Sequence, residues 1–219
     1  MNKAKVKIYH SIGDINYSNF IINRELVSSV EEADLVFFEG GADVSPDFYG
    51  EPASPHTSTS PNHDKIDIKT YEEAIALNKP MFGTCRGHQF LSAMAGAKLI
   101  QHMSHPGRHS VYIGNNHKGF MVNSLHHQMV YPFKMPETDY EILAYAKHLS
   151  PYHLGGNFEE LSEKDGKEVE AIYLPKINAL AVQYHPEFLW SSRQLYKEMF
   201  QWLFKQFKDK LNLDISSPL

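Results

Sequence analysis

The chain has 219 residues, 42% of them apolar and 21% charged, the balance of an ordinary globular protein with a buried core. A domain of that length buries roughly 70% of its unfolded surface, enough for a central sheet with helices on both faces. The formal net charge of −5 provides no basic field for nucleic acid or an anionic membrane surface. The opening MNKAKVKIYH has lysines but no apolar run behind them, so no signal peptide is expected, and no apolar stretch approaches the roughly 20 residues that span a bilayer. Cys85 is the single cysteine, so no intramolecular disulfide is available and a reducing cytosol is the expected compartment.

Lys5 to His10 alternates polar and apolar residues and predicts a first strand. Leu35 to Phe38 is a short, continuously apolar run, as expected of a strand buried on both faces of a parallel sheet. It ends at Gly40-Gly41, where the backbone can turn sharply and approach a ligand. Ala42 to Asn62 has prolines, serines and threonines without a period and predicts a loop. From Asp64 to Asn78, the side chains Ile68, Tyr71, Ala74, Ile75 and Leu77 recur at helical spacing, and Lys79-Pro80 stops the helix. Met81-Phe82 begin a short strand, followed by a helix over Gln89 to Ala95.

The second half is less regular. Gln101 to Asn116, polar and rich in histidine and glycine, predicts a loop with one edge strand. Val169 to Tyr173 and Leu180 to Tyr184 predict two strands joined around Pro175 and Asn178. Arg193 to Leu211 predicts an amphipathic helix with Leu195, Met199, Phe200, Leu203, Phe204, Phe207 and Leu211 in its buried stripe. The rhythm is that of one α/β domain, residues 1–219, with a mostly parallel central sheet flanked by helices and a small antiparallel addition.

The strongest local signal is Gly83-Thr84-Cys85-Arg86-Gly87-His88-Gln89, a strand running into a cysteine with glycines two residues to either side. This is the thiol counterpart of the strained strand–turn–helix elbow that presents a nucleophilic serine. A nucleophile at such a turn holds an unfavourable backbone conformation, and side chains at the flanking positions would clash. A helix starting just after Cys85 would point its positive end at the sulfur and favour the thiolate. The amide of Arg86, free at the helix start, could donate to a tetrahedral oxyanion. A buried inert cysteine between incidental glycines is the plainer reading, and the strand–turn–helix context weighs against it.

Among thirteen histidines, His185 stands out because it follows a strand and precedes Pro186, which biases it towards an extended conformation. In an extended segment Glu187 would lie on the same side as His185 and hold one imidazole nitrogen as a donor. The other nitrogen would then be free to take the thiol proton. An exposed strand-end histidine beside a surface glutamate is the bland alternative.

These residues carry a family resemblance. GTCRGHQ resembles the GxCxGxQ elbow of class I glutamine amidotransferases, and Tyr184-His185-Pro186-Glu187 resembles their HPE motif. GGADVSPDFYGE (residues 40–51) and VNSLHHQ (122–128) resemble segments of the γ-glutamyl-γ-aminobutyrate hydrolase branch. The resemblance implies a flavodoxin-like fold and Cys85 as nucleophile, His185 as general base and acid, and Glu187 as its orienter. It further implies an oxyanion hole from the amides of Gly41 and Arg86. Gln89, His127 and Gln128 would lie near the α-amino and α-carboxylate groups of a γ-glutamyl substrate. The implied reaction is acyl transfer through a γ-glutamyl thioester, with no cofactor and no metal. His102 stands where that branch usually has an acidic residue, and the stretch from Gln101 to Val122 is short, which implies a reshaped leaving-group side.

The alternatives come from different classes. A separate synthetase could take ammonia from this chain as its glutaminase subunit, since no fused synthetase domain is expected before the end at Leu219. GGADVSP and NSLHHQ favour a stand-alone hydrolase, and a homo-oligomer stays open. A catalytically silent binding protein on the same fold is opposed by the intact Cys85, His185 and Glu187. A metal site from His102, His105 and His109, or from His126-His127, is opposed by Pro106-Gly107, which prevents a helical pair, and by the lack of a carboxylate–histidine metal motif.

Overall fold

The computed structural model describes residues 5–104, 107–114, 117–147, 153–154 and 167–215; His105 of the metal reading lies outside them. The first half comprises β1 (Val6–His10), β2 (Arg24–Leu26), β3 (Leu35–Phe38), α1 (Pro61–Ala76), β4 (Met81–Thr84) and α2 (Arg86–Met94). Then follow β5 (Lys98–Ile100), β6 (His102–Met103), β7 (Arg108–Ile113), β8 (His117–Asn123), β9 (Met129–Tyr131) and β10 (Glu141–Lys147). The chain continues with β11 (His153–Leu154), β12 (Lys167–Leu174), β13 (Ala179–Val182), α3 (Pro186–Leu189) and α4 (Lys197–Leu211).

Nine strands form one sheet in the order β2-β1-β3-β4-β13-β12-β10-β7-β8. From β2 to β13 every pairing is parallel, and from β13 to β8 every pairing is antiparallel. The antiparallel part therefore extends the expected α/β sheet by four strands. Two small ribbons, β6 with β11 and β5 with β9, lie outside it.

The apolar run of β3 is explained by its two covered faces. Leu35 and Phe37 join the cluster packed by α4, whereas Val36 and Phe38 join the one packed by α2. β13 divides similarly: Leu180 and Val182 face the α4 side, and the small Ala179 and Ala181 face the α2 side. On α4, Met199, Phe200, Leu203, Phe204, Phe207 and Leu211 are buried as their spacing predicts. Each such side chain contributes about 2 kcal/mol of hydrophobic stabilisation.

Leu195 departs from that stripe. The helix begins at Lys197, after a 3-10 turn over Trp190–Ser192, and Leu195 is left 85% exposed. The periodicity continued past the point where the backbone stops being helical. α1 starts at Pro61, three residues before the expected Asp64, because proline's fixed φ and missing N–H suit the first helical turn. Its inward face is also different: Asp64, Asp67, Thr70 and Ala74 are buried, while Ile75 and Leu77 are more than 40% exposed. Between 101 and 116, the expected edge strand is β7, which lies between β10 and β8 and so is interior to the sheet. Its partner β8, at the true edge, carries too little alternation to be read from composition.

Candidate active site

β4 lies inside the parallel half, with β3 on one side and β13 on the other. In register, Phe38 faces Gly83 and Val182 faces Thr84, so all three strands end at the same level. Gly40-Gly41 leaves β3, Cys85 leaves β4, and His185 leaves β13. The three chain ends meet at the carboxyl edge of the sheet, the usual place for a ligand site in open α/β sheets.

Cys85 is held at φ 53° and ψ −106°, between the last residue of β4 and the first of α2. A positive φ on a residue with a side chain costs on the order of 1–3 kcal/mol and persists only where the surroundings impose it. Here the Cys85 amide donates to the Val182 carbonyl at 2.9 Å, and the Cys85 carbonyl accepts from the Gln89 amide at 3.2 Å. The flanking glycines are required by close approach. A Cβ on Gly83 would meet the Gly87 carbonyl carbon and oxygen, and one on Gly87 would drive into the Phe38 carbonyl. The elbow is a tight crossing of β4, α2 and β3, and Cys85 is left 7% exposed at its tip.

His185 adopts an extended conformation, φ −106° and ψ 91°, as the following proline requires. Glu187 reaches it by a different route from the one expected. It lies in the first turn of α3, whose cap position is His185, and the turn brings Oε1 within 2.6 Å of His185 Nδ1. That leaves Nε2 unused by Glu187, on a ring whose pKa the Cys85 sulfur helps to raise. Burial alone would lower the His185 pKa. The bonds and charges of Cys85 and Glu187 outweigh it and push the imidazole up to about 10, so the ring keeps its proton at neutral pH. Phe188 stacks on the ring, with centroids 5.0 Å apart and planes 18° off parallel.

The ring's other neighbours are Tyr17 and the glycine pair. A Cβ on Gly40 would lie 2.7 Å from the Tyr17 hydroxyl and 3.1 Å from His185 Cε1. Burial, together with the charges of Glu187 and Cys85, raises the Tyr17 pKa, so its phenol stays protonated. Gly41 abuts the residue after Cys85, since a Cβ there would come 3.3 Å from Arg86 Cδ.

Gln89 lies one turn along α2 and is buried. Its amide donates to the Gln128 carbonyl at 3.1 Å and to Gln183 Oε1 at 3.3 Å. Gln128 is buried as well, its amide donating to Thr57 Oγ1 at 3.4 Å. His127 is half-exposed and approaches Asp43 Oδ1 with Nε2 at 3.2 Å and His102 Nδ1 with Nδ1 at 3.3 Å. The bond from Asp43 raises the His127 pKa against the effect of burial. His102 in turn stacks on His56, ring centroids 3.9 Å apart, and burial and the two neighbouring imidazoles lower its pKa. Of the metal reading's other described histidines, His109 pairs with Glu170 at 3.0 Å, and His126 Nδ1 donates to the Gln128 carbonyl. Among the described residues, no group of three or more His, Cys, Asp or Glu side chains is arranged to hold a metal ion.

Two features escaped the sequence reading. Arg86 is 1% exposed, and its guanidinium is paired with Asp64 at 2.5 Å and with Asp67. Asp67 also accepts from the Ser11 hydroxyl and lies 3.3 Å from His63. The aspartates three residues apart on the predicted α1 were the available signal. The second is Asn123, whose side chain meets the backbone of His185 from the end of β8. Nothing in its local sequence distinguishes that role.

The family model for peptidase C26 matches residues 22–187. This chain belongs to the peptidase C26 family. The matched span of this C26 protein contains Gly40-Gly41, Cys85, Asn123, His185 and Glu187. The glutamine amidotransferase-like protein YvdE of Lactococcus lactis subsp. lactis is 29% identical over 190 residues, covering 77% of this chain and 72% of that one. Protein NtpR of Enterococcus hirae is 28% identical over 202 residues, covering 81% and 77%. Among solved structures, the glutaminase domain of Trypanosoma brucei CTPS with bound acivicin aligns over 98% of both chains with a TM-score of 0.57 at 14% identity. A glutamine amidotransferase from Thermotoga maritima aligns over 97% of this chain and 90% of that one, with a TM-score of 0.53 at 15% identity. The fold is that of the class I glutamine amidotransferases, and family membership makes this C26 chain a hydrolase or amidotransferase. Among the described residues, no helix is long and apolar enough to cross a membrane.

Proposed function

We propose that this C26 chain, acting as one domain over residues 1–219, hydrolyses a γ-glutamyl amide bond through a thioester on Cys85. The supporting observation is the single imidazole of His185, bonded to Glu187 and raised in pKa by Cys85, beside a strained elbow. The sulfur attacks the γ-carbonyl, and the tetrahedral oxyanion is met by the amides of Gly41 and Arg86. His185 gives its proton to the leaving nitrogen, ammonia or an amine departs, and the γ-glutamyl thioester remains on Cys85. Water then attacks the thioester while His185 takes its proton, releasing glutamate and restoring the sulfur. Glu187 keeps Nδ1 as a donor throughout. Gln89, His127 and Gln128 are assigned to the amino and carboxylate ends of the glutamyl group, with His127 the most accessible of the three. No cofactor takes part in this scheme, and the cytoplasm is the compartment that keeps the thiol reduced. The test is glutamate release from glutamine and from a set of γ-glutamyl amines, with mass spectrometry of the Cys85 peptide during turnover. A γ-glutamyl adduct on Cys85 that disappears in hydroxylamine is expected; glutamate release without an adduct and unaffected by Cys85→Ala would end the reading.

A second reading makes the chain a glutaminase subunit that feeds ammonia to a synthetase. It is favoured by the full-length likeness to a glutaminase domain and by Phe188, which is 57% exposed while stacked on the catalytic imidazole. A docked partner would cover Phe188 and could set the base. Steady-state turnover of about 1 s⁻¹ or more on the isolated chain, the low end for ordinary enzymes, supports the stand-alone hydrolase. Rapid thioester formation followed by almost no turnover supports the subunit.

A further inference from the structure

The base at the active edge is attached to the chain by more than its ring contacts. His185 lies three residues beyond the last ladder residue of β13, where sheet hydrogen bonding no longer holds the backbone. There the His185 amide donates to Asn123 Oδ1 at 2.8 Å, and Asn123 Nδ2 donates to the His185 carbonyl at 3.2 Å. Both groups of one peptide-bearing residue are therefore taken by one side chain, which acts as a short piece of β-ladder. The pairing crosses 62 positions of sequence, and both residues are buried. Asn123 is the last residue of β8, at the antiparallel edge of the sheet, and its own position is fixed by the pairing of β8 with β7.

We propose that Asn123 is a positioning residue for the base: it clamps the His185 backbone so that the imidazole stays aligned between Cys85 and Glu187. The inference rests on the assignment of His185 as the base. The His185 ring is held at one edge by Glu187 and on one face by Phe188, but both belong to the same α3 turn and move with it. A group from outside that turn is needed to fix it against the sulfur; Tyr17 and Gly40 flank the ring, whereas Asn123 bonds the backbone that carries it. Asparagine suits the task because its amide presents one acceptor and two donors, matching a backbone N–H and C=O together. Aspartate can accept from the N–H but repels the carbonyl, and alanine can do neither. The clamp also gives the four-strand antiparallel extension a part in the chemistry, since it carries Asn123 to the end of β13.

The experiment compares the full chain with Asn123→Ala and Asn123→Asp. Three readouts are taken: kcat and KM for glutamine and a γ-glutamyl amine, the pH dependence of Cys85 alkylation by iodoacetamide, and the thermal midpoint. Misplacing a catalytic group by about 1 Å can cost up to roughly a hundredfold in rate. Asn123→Ala is expected to lower kcat by about tenfold to a hundredfold with KM within about twofold, and to slow Cys85 alkylation, which draws on the aligned imidazole. Asn123→Asp, keeping the 2.8 Å acceptor, should fall between alanine and wild type in both readouts. A folded Asn123→Ala with wild-type kcat and a wild-type alkylation profile overturns the clamp, as does a change confined to KM. Should Asn123→Ala melt below the assay temperature, Asn123→Asp decides by the same criteria. The alkylation profile needs only Cys85 and His185, so a wild type that fails to turn over γ-glutamyl compounds would sink the proposed reaction while the clamp is still tested.

Discussion

The Arg86 guanidinium lies 2.5 Å from Asp64 Oδ1, with both side chains withdrawn from solvent. Arg86 is the residue directly after Cys85, so this pair fastens the start of α2 to α1 from behind. Asp67 takes the second arm of the same guanidinium and carries the network on to Ser11 at the end of β1. Two helices and a strand are thus tied beneath the strained turn at Cys85. That surrounding order is what a positive φ on a residue with a side chain requires.

Removing one partner of this network should loosen the elbow. Asp67→Ala leaves Arg86 buried with half its pairing gone, and breaking a buried pair in this way typically costs about 3–5 kcal/mol. Urea unfolding of the variant should show a loss of at least about 2 kcal/mol, and Cys85 should become easier to alkylate with a bulky reagent. Unchanged stability and reactivity would mean that the elbow is held without the network.

Cys85→Ala and His185→Ala should each abolish turnover while leaving the fold intact, because loss of either member of a nucleophile–base pair typically costs several orders of magnitude. Glu187→Gln should be milder, since Glu187 orients the ring and transfers no proton. Glutamate release by the three variants, checked against their circular dichroism, measures this. If His109→Ala abolished turnover and His185→Ala did not, the base would have been misassigned.

The pH dependence of stability has opposite signs at two places. His185 has a folded pKa of about 10 against an ordinary 6.5, so its contribution is full below about pH 6.5 and is lost as pH rises through about 10. The thermal midpoint should fall over that range, and Glu187→Gln should flatten the fall. Burial pushes His63 and His88 down to about 4, with Arg86 adding to the effect on His63. The unfolded chain therefore takes up protons that these two refuse, and stability should fall as pH drops from about 6.5 towards 4. His63→Asn should reduce that acid loss.

His127→Ala and Gln128→Ala should raise KM more than they lower kcat, because both are assigned to the glutamyl group and stand away from the reacting carbon. Losing a hydrogen bond to a charged group costs roughly 1.5–3 kcal/mol, or about ten- to a hundredfold in KM. His127 carries the larger expected effect, because its bond to Asp43 favours the charged ring. A pure kcat defect in either variant would contradict the assignment.

Much of the candidate site's geometry was legible because its patterns are local. Cys85 with Gly83 and Gly87 is a seven-residue pattern whose backbone demands appear in its residue types, and His185 with Glu187 is a four-residue one. The apolar run Leu35 to Phe38 and the spacing from Met199 to Leu211 determined a doubly covered strand and a packed helix, because burial on a regular backbone leaves a period. What only the tertiary structure decided is long-range and polar. The burial of Asp64 and Asp67 follows from an arginine on another helix, so α1 shows charges on its inward face where the period alone favoured Ile75 and Leu77. Leu195 stays exposed because the helical backbone begins two residues after it. Asn123 meets His185 only because four antiparallel strands bring the end of β8 beside the end of β13. A side chain that satisfies a distant backbone group has no partner nearby in sequence to give it away, and its role exists only once the sheet has formed.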